Sequence, residues 1–351
     1  MAFMKFNQTT ETRSKIMARI DKLGLKSDPR MIQTLEENLP YLNRLTALFN
    51  VLKKCNITLD DSLHQIIANH VPNASYVVNL LEFMREEGID TAIIPLELLF
   101  QVAESETTLK HGMRQLIKHN SLDAATLKLI FSYPEQSYLL ADLIINFQAH
   151  AYPTEKVVEK LGQFSVQSMN AVIELLTLLL NNNLYYFDCL DLFLGQQEYL
   201  GKICEGAKKL AVANKLSSSY FDAVGKNPQN ANILANLILL LQNLSIIDYK
   251  KTEDLLIASQ LGAGAFHFLT HLQQSGMLDA ENYKKVSQHH SILNSQKVND
   301  ALCGLPLFAA FDKEELEHML VLITKEPSSD SDQHELIEMI QKHDLTSKLH
   351  W

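Results

Sequence analysis

The sequence predicts an all-α protein built as an α-solenoid, a superhelix of about ten helix-turn-helix repeats of about 30–33 residues each. Three observations support this prediction. Apolar residues recur at that interval along most of the chain. Residue types that end or begin helices recur at fixed positions beside these apolar residues. No useful stretch shows the alternation of apolar and polar residues that indicates a half-buried β-strand.

The repeat is defined by ten apolar residues, each just before a helix-start signal, at intervals of 30 to 33 residues. These anchors are Leu25, Ile57, Ile89, Leu122, Tyr152, Leu184, Leu216, Ile247, Leu278 and Phe311. The residue nine positions earlier is also apolar in all ten repeats, which a 46% apolar composition gives by chance about 4 times in 10,000. Because one such repeat cannot bury its apolar face alone, neighbouring repeats must share a core.

The array is expected over residues 13–324, after a flexible polar tail at residues 1–12. Its architecture is expected to be similar to that of tetratricopeptide or HEAT arrays. The tetratricopeptide consensus itself is absent, because it needs a Trp and the only Trp of the chain is Trp351.

Within each repeat, the first helix is expected to end in a residue that tolerates the left-handed backbone conformation. Asn or Gly occupies this place at Gly24, Asn56, Gly88, Asn120 and Gly276. The turn to the second helix should therefore be tight. A second break between repeats is expected at Pro72, Pro134 and Pro228, since a proline disfavours helix in the residue before it.

A residue type that caps helix N-termini follows the anchor in seven of the ten repeats, so it is expected to begin the second helix. The predicted structural caps are Thr58, Asp90, Asp123, Ser217, Asp248, Asp279 and Asp312. Asp312 and Glu315 also have the spacing of a capping box.

Residues 325–351 differ from the array and predict an acidic linker followed by a C-terminal capping helix. The linker is the polar segment from Lys325 to Asp332. The segment after it is amphipathic, with Leu336, Ile337 and Ile340 on one side. An end repeat must cover exposed core, so this helix is expected to cap the array.

Composition excludes several classes of function. With 41 acidic residues against 31 basic ones and a net charge of −10, a large nucleic-acid interface is not expected. Four cysteines without a close pair are typical of a reducing compartment. The most apolar stretch, Ala171 to Leu180, is too short to span a membrane, and no signal-peptide core precedes the array. We expect a soluble, cytoplasmic monomer, and the composition is also compatible with export by a route that uses no N-terminal signal peptide.

No residue pattern predicts a catalytic site, a metal site or a cofactor. His267 and His271 are four residues apart, and Glu315 and His318 three apart, but neither pair has the further ligands that a metal centre needs. We interpret these residues as surface or inter-helix side chains. The sequence therefore favours a protein that is not an enzyme.

Two features suggest where a partner could bind. Residues 82–106 carry seven acidic side chains against one arginine, whereas residues 201–227 carry five lysines against two acidic side chains. Tyrosines also gather near the starts of several second helices, where they would suit a binding groove. The candidate partner-binding residues are Tyr185, Tyr186, Tyr220, Tyr249, Glu82, Glu86 and Glu87. The alternative is a solvated charged face and tyrosines that belong to the core.

One repeat follows the pattern L-x-x-L-x-x-x-G-x-L-[TD]-x-x-N-[FY]-x-x-V. The matching residues are Leu269, Leu272, Gly276, Leu278, Asp279, Asn282, Tyr283 and Val286. In this pattern the chain resembles the helical-repeat effectors that intracellular bacteria of the Legionella and Coxiella type secrete through type IV systems. The resemblance implies a scaffold that binds a host protein or a second effector along its concave face, as an effector or a metaeffector. The alternative is an enzyme, or an enzyme-modulating effector, whose site is assembled from several repeats.

Overall fold

The computed structural model describes residues 13–25, 28–184, 189–306, 311–325 and 330–348, which contain twenty-two α-helices and no β-strand. The predicted all-α class is confirmed. The helices are α1 (13–22), α2 (Pro29–Glu37), α3 (Leu42–Lys54), α4 (Asp61–Asn69), α5 (Ala74–Glu86), α6 (Leu96–Gln101), α7 (Glu106–Lys118), α8 (Ala124–Ser132), α9 (Ser137–Ala149), α10 (Thr154–Leu161), α11 (Val166–Asn181), α12 (Cys189–Gly195), α13 (Leu200–Val212), α14 (Ser218–Val224), α15 (Ala231–Asn243), α16 (Thr252–Ser259), α17 (Ala263–Gln274), α18 (Ala280–Gln288), α19 (His290–Leu293), α20 (Gln296–Gly304), α21 (Lys313–Thr324) and α22 (Asp330–Lys348).

The chain forms two compact units, Met1–Gln163 and Phe164–Trp351. The division falls inside the predicted array, between α10 and α11. In the first unit, the longer helices pack in the order α3, α5, α7 and α9, with α3 against α5, α5 against α7, and α7 against α9. Among the short helices, α2 packs against α4, α4 against α6, and α8 against α10. Buried Leu, Ile, Val, Met and Phe side chains fill the space between them.

The second unit repeats this arrangement. Its longer helices pack in the order α11, α13, α15, α17, α20 and α22, each against the next. Among its short helices, α14 packs against α16, and α18 packs against α21. In both units a helix therefore contacts the helix of the same kind in the neighbouring repeat.

The turn that follows α1 and the long helices from α3 to α17 is the most regular feature of the fold. Nine described residues have φ between 54° and 73°, and successive ones lie 31 or 32 residues apart. They are Gly24, Asn56, Gly88, Asn120, Ala151, Asn183, Asn214, Ser245 and Gly276. The N–H of the next residue donates to the carbonyl five residues earlier, as from Ile57 to Leu52 at 3.0 Å. This is the Schellman motif, which satisfies the last carbonyls of a helix.

The five Gly and Asn residues predicted for this turn are confirmed. Ala151 and Ser245 adopt the same conformation, and the sequence did not predict them because neither residue type favours a positive φ. The predicted breaks at Pro72, Pro134 and Pro228 are also confirmed. Each lies in a three-residue 3₁₀ turn that directly precedes a long helix.

Three of the predicted caps begin an α-helix. Asp123, Asp279 and Asp312 each accept a hydrogen bond from the backbone N–H three residues later, at 2.7–2.8 Å. The Glu315 side chain accepts in turn from the Asp312 N–H at 3.2 Å, so the predicted capping box is present. Asp90 caps as well, but it begins the 3₁₀ turn Thr91–Ile93 and not an α-helix.

Three predicted caps are wrong. Thr58 lies before the cap of α4, because Asp60 accepts the N–H of Leu63 and begins that helix. Ser217 stands at the N-cap position of α14, but its hydroxyl donates to the Tyr249 carbonyl at 2.7 Å and caps nothing.

Asp248 is the third error. It accepts the N–H of Lys250 at 3.0 Å in a local turn, and α16 begins only at Thr252. The side chains of Ser217 and Asp248 therefore bond backbone groups outside the helix N-terminus, which competes with capping.

The C-terminal helix predicted after the linker is α22, which begins at Asp330, inside the predicted linker. It packs against α20 and α21. Leu336 and Ile340 are buried and Ile337 is partly exposed. Lys325 Nζ lies 2.5 Å from a carboxylate oxygen of the buried Asp332. Helix α22 therefore stands where the next long helix of the array would pack.

Candidate functional site

A cleft of about 420 Å³ opens in the first unit, between the turn after α5 and the start of α8. Its walls come from two successive repeats. The lining residues are Glu87, Gly88, Ile89, Asp90, Ile93, Ile117, Asn120, Leu122, Asp123, Ala124 and Leu127. We call this the inter-repeat cleft.

The inter-repeat cleft lies beside α6, which is shorter than the corresponding helices of the two neighbouring repeats. Helix α6 has six residues, whereas α4 and α8 have nine. Asp90 begins a 3₁₀ turn, and Ile94 is extended with φ −106° and ψ 122° because Pro95 follows it. The α-helix can therefore start only at Leu96. The contact between α6 and α8 is at most sparse, unlike that between α4 and α6.

The walls of the inter-repeat cleft are apolar and incompletely covered. Ile89, Ile93 and Leu122 are each partly exposed, and the buried Leu127 lies behind them. The anchor position that Ile89 and Leu122 occupy is partly exposed in the first six repeats and is buried only from Leu216 onward. Aliphatic surface is therefore open to solvent beside the shortened helix.

The rim of the inter-repeat cleft is acidic. Glu87, Asp90 and Asp123 are exposed, and no lining residue is Lys, Arg or His. Asp90 and Asp123 each use one carboxylate oxygen, Oδ1, to cap a turn or helix, which leaves the other oxygen as a free acceptor. The arrangement can hold an aliphatic group and a cation side by side.

The predicted acidic residues lie in and beside this cleft. Glu86 and Glu87 are exposed at the end of α5, and Glu82 is partly exposed one turn earlier. Across the described chain, none of these three carboxylates forms an ion pair, whereas Glu106 binds Lys110 at 2.8 Å. The charge around the cleft is therefore not compensated by a bound lysine or arginine.

The lysine-rich segment 201–227 differs, because three of its five lysines (Lys208, Lys209 and Lys215) form polar contacts inside the second unit. Lys208 Nζ lies 2.6 Å from Glu174, and Lys209 Nζ lies 2.6 Å from Asn232 Oδ1 and 3.4 Å from Glu205. The contacts with Glu174 and Asn232 join α13 to the neighbouring long helices, whereas the contact with Glu205 lies within α13. Part of the positive charge of this segment therefore serves helix packing.

One of the tyrosines predicted to bind a partner, Tyr220, lies in the core. Tyr220 is completely buried, and its hydroxyl donates to the carbonyls of Ile203 at 3.3 Å and Ala231 at 3.2 Å. Burial also raises the pKa of this hydroxyl. Tyr220 is therefore a core residue, and its assignment to a binding surface is wrong.

Tyr249 is partly exposed, with Lys250 Nζ 5.7 Å from the centre of its ring. Tyr185 and Tyr186 lie outside the described residues. The tyrosines therefore do not define a groove that can be described.

The histidines noted in the sequence contact other side chains. His271 is buried with its ring centroid 5.0 Å from that of Phe311, and burial lowers the pKa of His267. Glu315 binds His343 at 2.9 Å, and His318 binds Glu335 at 3.0 Å. Within the ranges that the structure describes, no three His, Cys, Asp or Glu residues are placed to share a metal ion.

Cys204 is a buried thiol that contacts a charged group. Its Sγ donates to Glu174 Oε2 at 3.1 Å, and Lys208 donates to the same oxygen. Burial and the bond to Glu174 raise the pKa of the Cys204 thiol to about 12. It is therefore protonated near neutral pH, which is the opposite of an activated nucleophile.

No known protein family, curated protein or solved structure matches the chain. Over the described helices, none is by itself long and apolar enough to cross a membrane. One pair, α16 with α17, meets the criterion of length and composition only when joined across a bend of 108°.

Proposed function

We propose that the chain is an α-solenoid of about ten helical hairpins whose function is to bind another protein along its concave face. The observation that carries the proposal is the recurrence of the left-handed turn every 31 or 32 residues, together with the packing of like helices within each unit. Arrays of this kind present extended surfaces made from the same position in successive repeats, and they use them for binding. The proposed scaffold acts as a monomer, without a cofactor.

The class of partner is proposed from the resemblance to secreted effectors. In the repeat that follows that pattern, Gly276 takes the left-handed turn and Asp279 caps α18. The Asn282 amide donates to the Met277 carbonyl at 2.8 Å, and Tyr283 and Val286 are buried. The pattern residues thus build the repeat, which leaves the variable surface positions for a partner. We propose a host protein or a second effector as that partner, with this chain as an effector or metaeffector in a host cytosol.

The test is affinity capture from a eukaryotic host lysate with the full chain carrying a photo-crosslinking residue. We choose the exposed positions Tyr76 and Tyr138 on long helices, and Gln65 and Lys128 on short helices. The expected result is stoichiometric capture of one protein, crosslinked from one of these two helix sets and not from the other. The heat-unfolded chain is the control. Failure to capture any protein, together with turnover of a co-purified small molecule, would instead favour an enzyme with a site assembled across repeats.

A further inference from the structure

The geometry points to the inter-repeat cleft as a docking site for a short extended peptide segment that combines Lys or Arg with aliphatic residues. This inference rests on the proposed function and names the chemistry of the partner segment. It is carried by the shape of the cleft, by its uncovered aliphatic walls and by the sign of the charge on its rim.

The shape favours a short segment. A cavity of about 420 Å³ lies near the lower end of the range of about 300–1,000 Å³ that ligand pockets have. It is open along the boundary between two repeats, because the short helix α6 lacks its first three residues and leaves α8 without a close neighbour there. A few consecutive side chains fit such a cleft, whereas the surface of a folded domain does not enter it.

The walls select aliphatic side chains. Ile89, Ile93 and Leu122 present apolar surface that remains partly exposed. Removing this surface and that of a ligand from water favours binding in proportion to the apolar area buried. Leucine, isoleucine or valine in the peptide therefore supplies the apolar contact.

The rim selects cations. Glu87, Asp90 and Asp123 bring three carboxylates to the opening, and no cation lines the cleft. A lysine or arginine beside the aliphatic residue pairs with the free carboxylate oxygens, and an acidic peptide is repelled. Because the rim is exposed, this pairing is screened by salt, so affinity should fall as ionic strength rises.

The probe is an array of immobilised octapeptides that combine Lys or Arg with Leu, Ile or Val in every order, incubated with the labelled full chain. A second array has Glu in place of Lys and Arg, and a third has Ser in place of the aliphatic residues. We expect binding to members of the first array, at least tenfold weaker binding to the other two, and weaker binding at higher salt. Equal binding to the first two arrays, or none to the first, would overturn the inference.

Two matched pairs of variants locate the site. Glu86 and Glu87 are both exposed at the end of α5, but only Glu87 lines the cleft. Ala124 and Ala125 are both exposed in the first turn of α8, but only Ala124 lines it. We expect Glu87→Lys and Ala124→Arg to weaken peptide binding at least tenfold, and Glu86→Lys and Ala125→Arg to change it less than threefold. Equal losses within each pair would reject the cleft as the site, provided that circular dichroism shows all four variants folded.

Failure of the cleft inference can be distinguished from failure of the proposed scaffold function. If a host protein is captured stoichiometrically by the wild type and equally well by the Glu87→Lys variant, the scaffold stands and the cleft inference fails. If no protein is captured but the basic peptides bind the cleft, the peptide chemistry stands and the partner lies outside the lysate that was used.

Discussion

At the scale of the residue, Asp279 shows what a capping side chain does in this fold. Its carboxylate accepts the Asn282 N–H at 2.8 Å and begins α18. We expect Asp279→Ala to lower the free energy of unfolding by about 0.5–2 kcal/mol, and Asp279→Ser to recover most of it, because Ser caps comparably. Chemical denaturation measures both. Glu281→Ala, an exposed change in the same turn, is the control and should cost less than the cap; equal losses would contradict the capping role.

Ala151 carries a local conformational strain. It adopts φ 58°, where seven of the other eight turns have Gly or Asn. A Cβ in this conformation costs about 1–2 kcal/mol, and replacement by glycine removes that cost. Glycine also raises the conformational entropy of the unfolded chain, which offsets part of the stabilisation. We therefore expect Ala151→Gly to raise the free energy of unfolding by about 0.5–1 kcal/mol. The same change at Ala149, in the last turn of α9, should lower stability; a loss at both positions would show that Ala151 is unstrained.

At the scale of the element, α13 and α15 approach closely at Gly206. An added Cβ there would lie 2.8 Å from the Ala231 carbonyl oxygen and would also meet the Tyr220 hydroxyl. We expect Gly206→Ala to destabilise the protein by about 1–3 kcal/mol, because the backbone cannot move away without disturbing the pair of helices. Gly201 lies in the same helix with no atom within 4 Å of an added Cβ. Gly201→Ala should stabilise by up to about 1 kcal/mol, and thermal denaturation of both variants compares them.

The attachment of α22 to α21 should depend on pH. Burial alone would raise the pKa of Glu315, but hydrogen bonds from His343, the Asp312 N–H and Lys342 hold that pKa below its ordinary value of 4.5. A carboxyl whose pKa is lower in the folded state stabilises the fold above 4.5 and loses this contribution as pH falls through the folded value. We expect the wild type to lose more stability than Glu315→Gln between about pH 6 and pH 3. Glu314→Gln, exposed on the same helix, should behave like the wild type in denaturant titrations at each pH.

Element boundaries show how far the sequence could predict the fold. The helix ends at Gly24, Asn56 and Gly276 were predictable because these residue types favour the left-handed turn. Asp90 and Asp123 stand in the same slot of successive repeats, yet only Asp123 begins an α-helix. The difference comes from Pro95, five residues after Asp90, and so the inter-repeat cleft was not predicted, although its proline was visible in the sequence.

The candidate site was predictable only in its charge. Glu86 and Glu87 belong to an acidic run that any count of residues reveals, and both are exposed. Tyr220 is a different case, because periodicity does not say whether a tyrosine beside a turn points into the core. The carbonyls that accept its hydroxyl come from α13 and from the start of α15, and contacts between separate helices leave no local mark in the sequence.

At the scale of the whole molecule, a repeat array should transmit disturbance only to adjoining repeats, because each repeat contacts only its neighbours. In Asp279→Ala we therefore expect faster amide hydrogen exchange in α17, α18, α20 and α21, and unchanged exchange in α3, α5, α7 and α9. Exchange measured by mass spectrometry on proteolytic peptides tests this. A uniform loss of protection in both sets of helices would mean that the chain unfolds as one cooperative body and would contradict the proposed solenoid.

The shortened helix α6 has a consequence for how such a protein acquires new binding sites. The cleft depends on one proline and on a helix that begins a few residues late, while α5 still packs against α7 and α7 against α9. The proposed recognition site thus arises from the shortening of one short helix, beside long helices that remain in contact. In a repeat array, a single substitution that introduces or removes such a proline changes where one short helix begins. The binding specificity of the array can therefore evolve faster than its architecture.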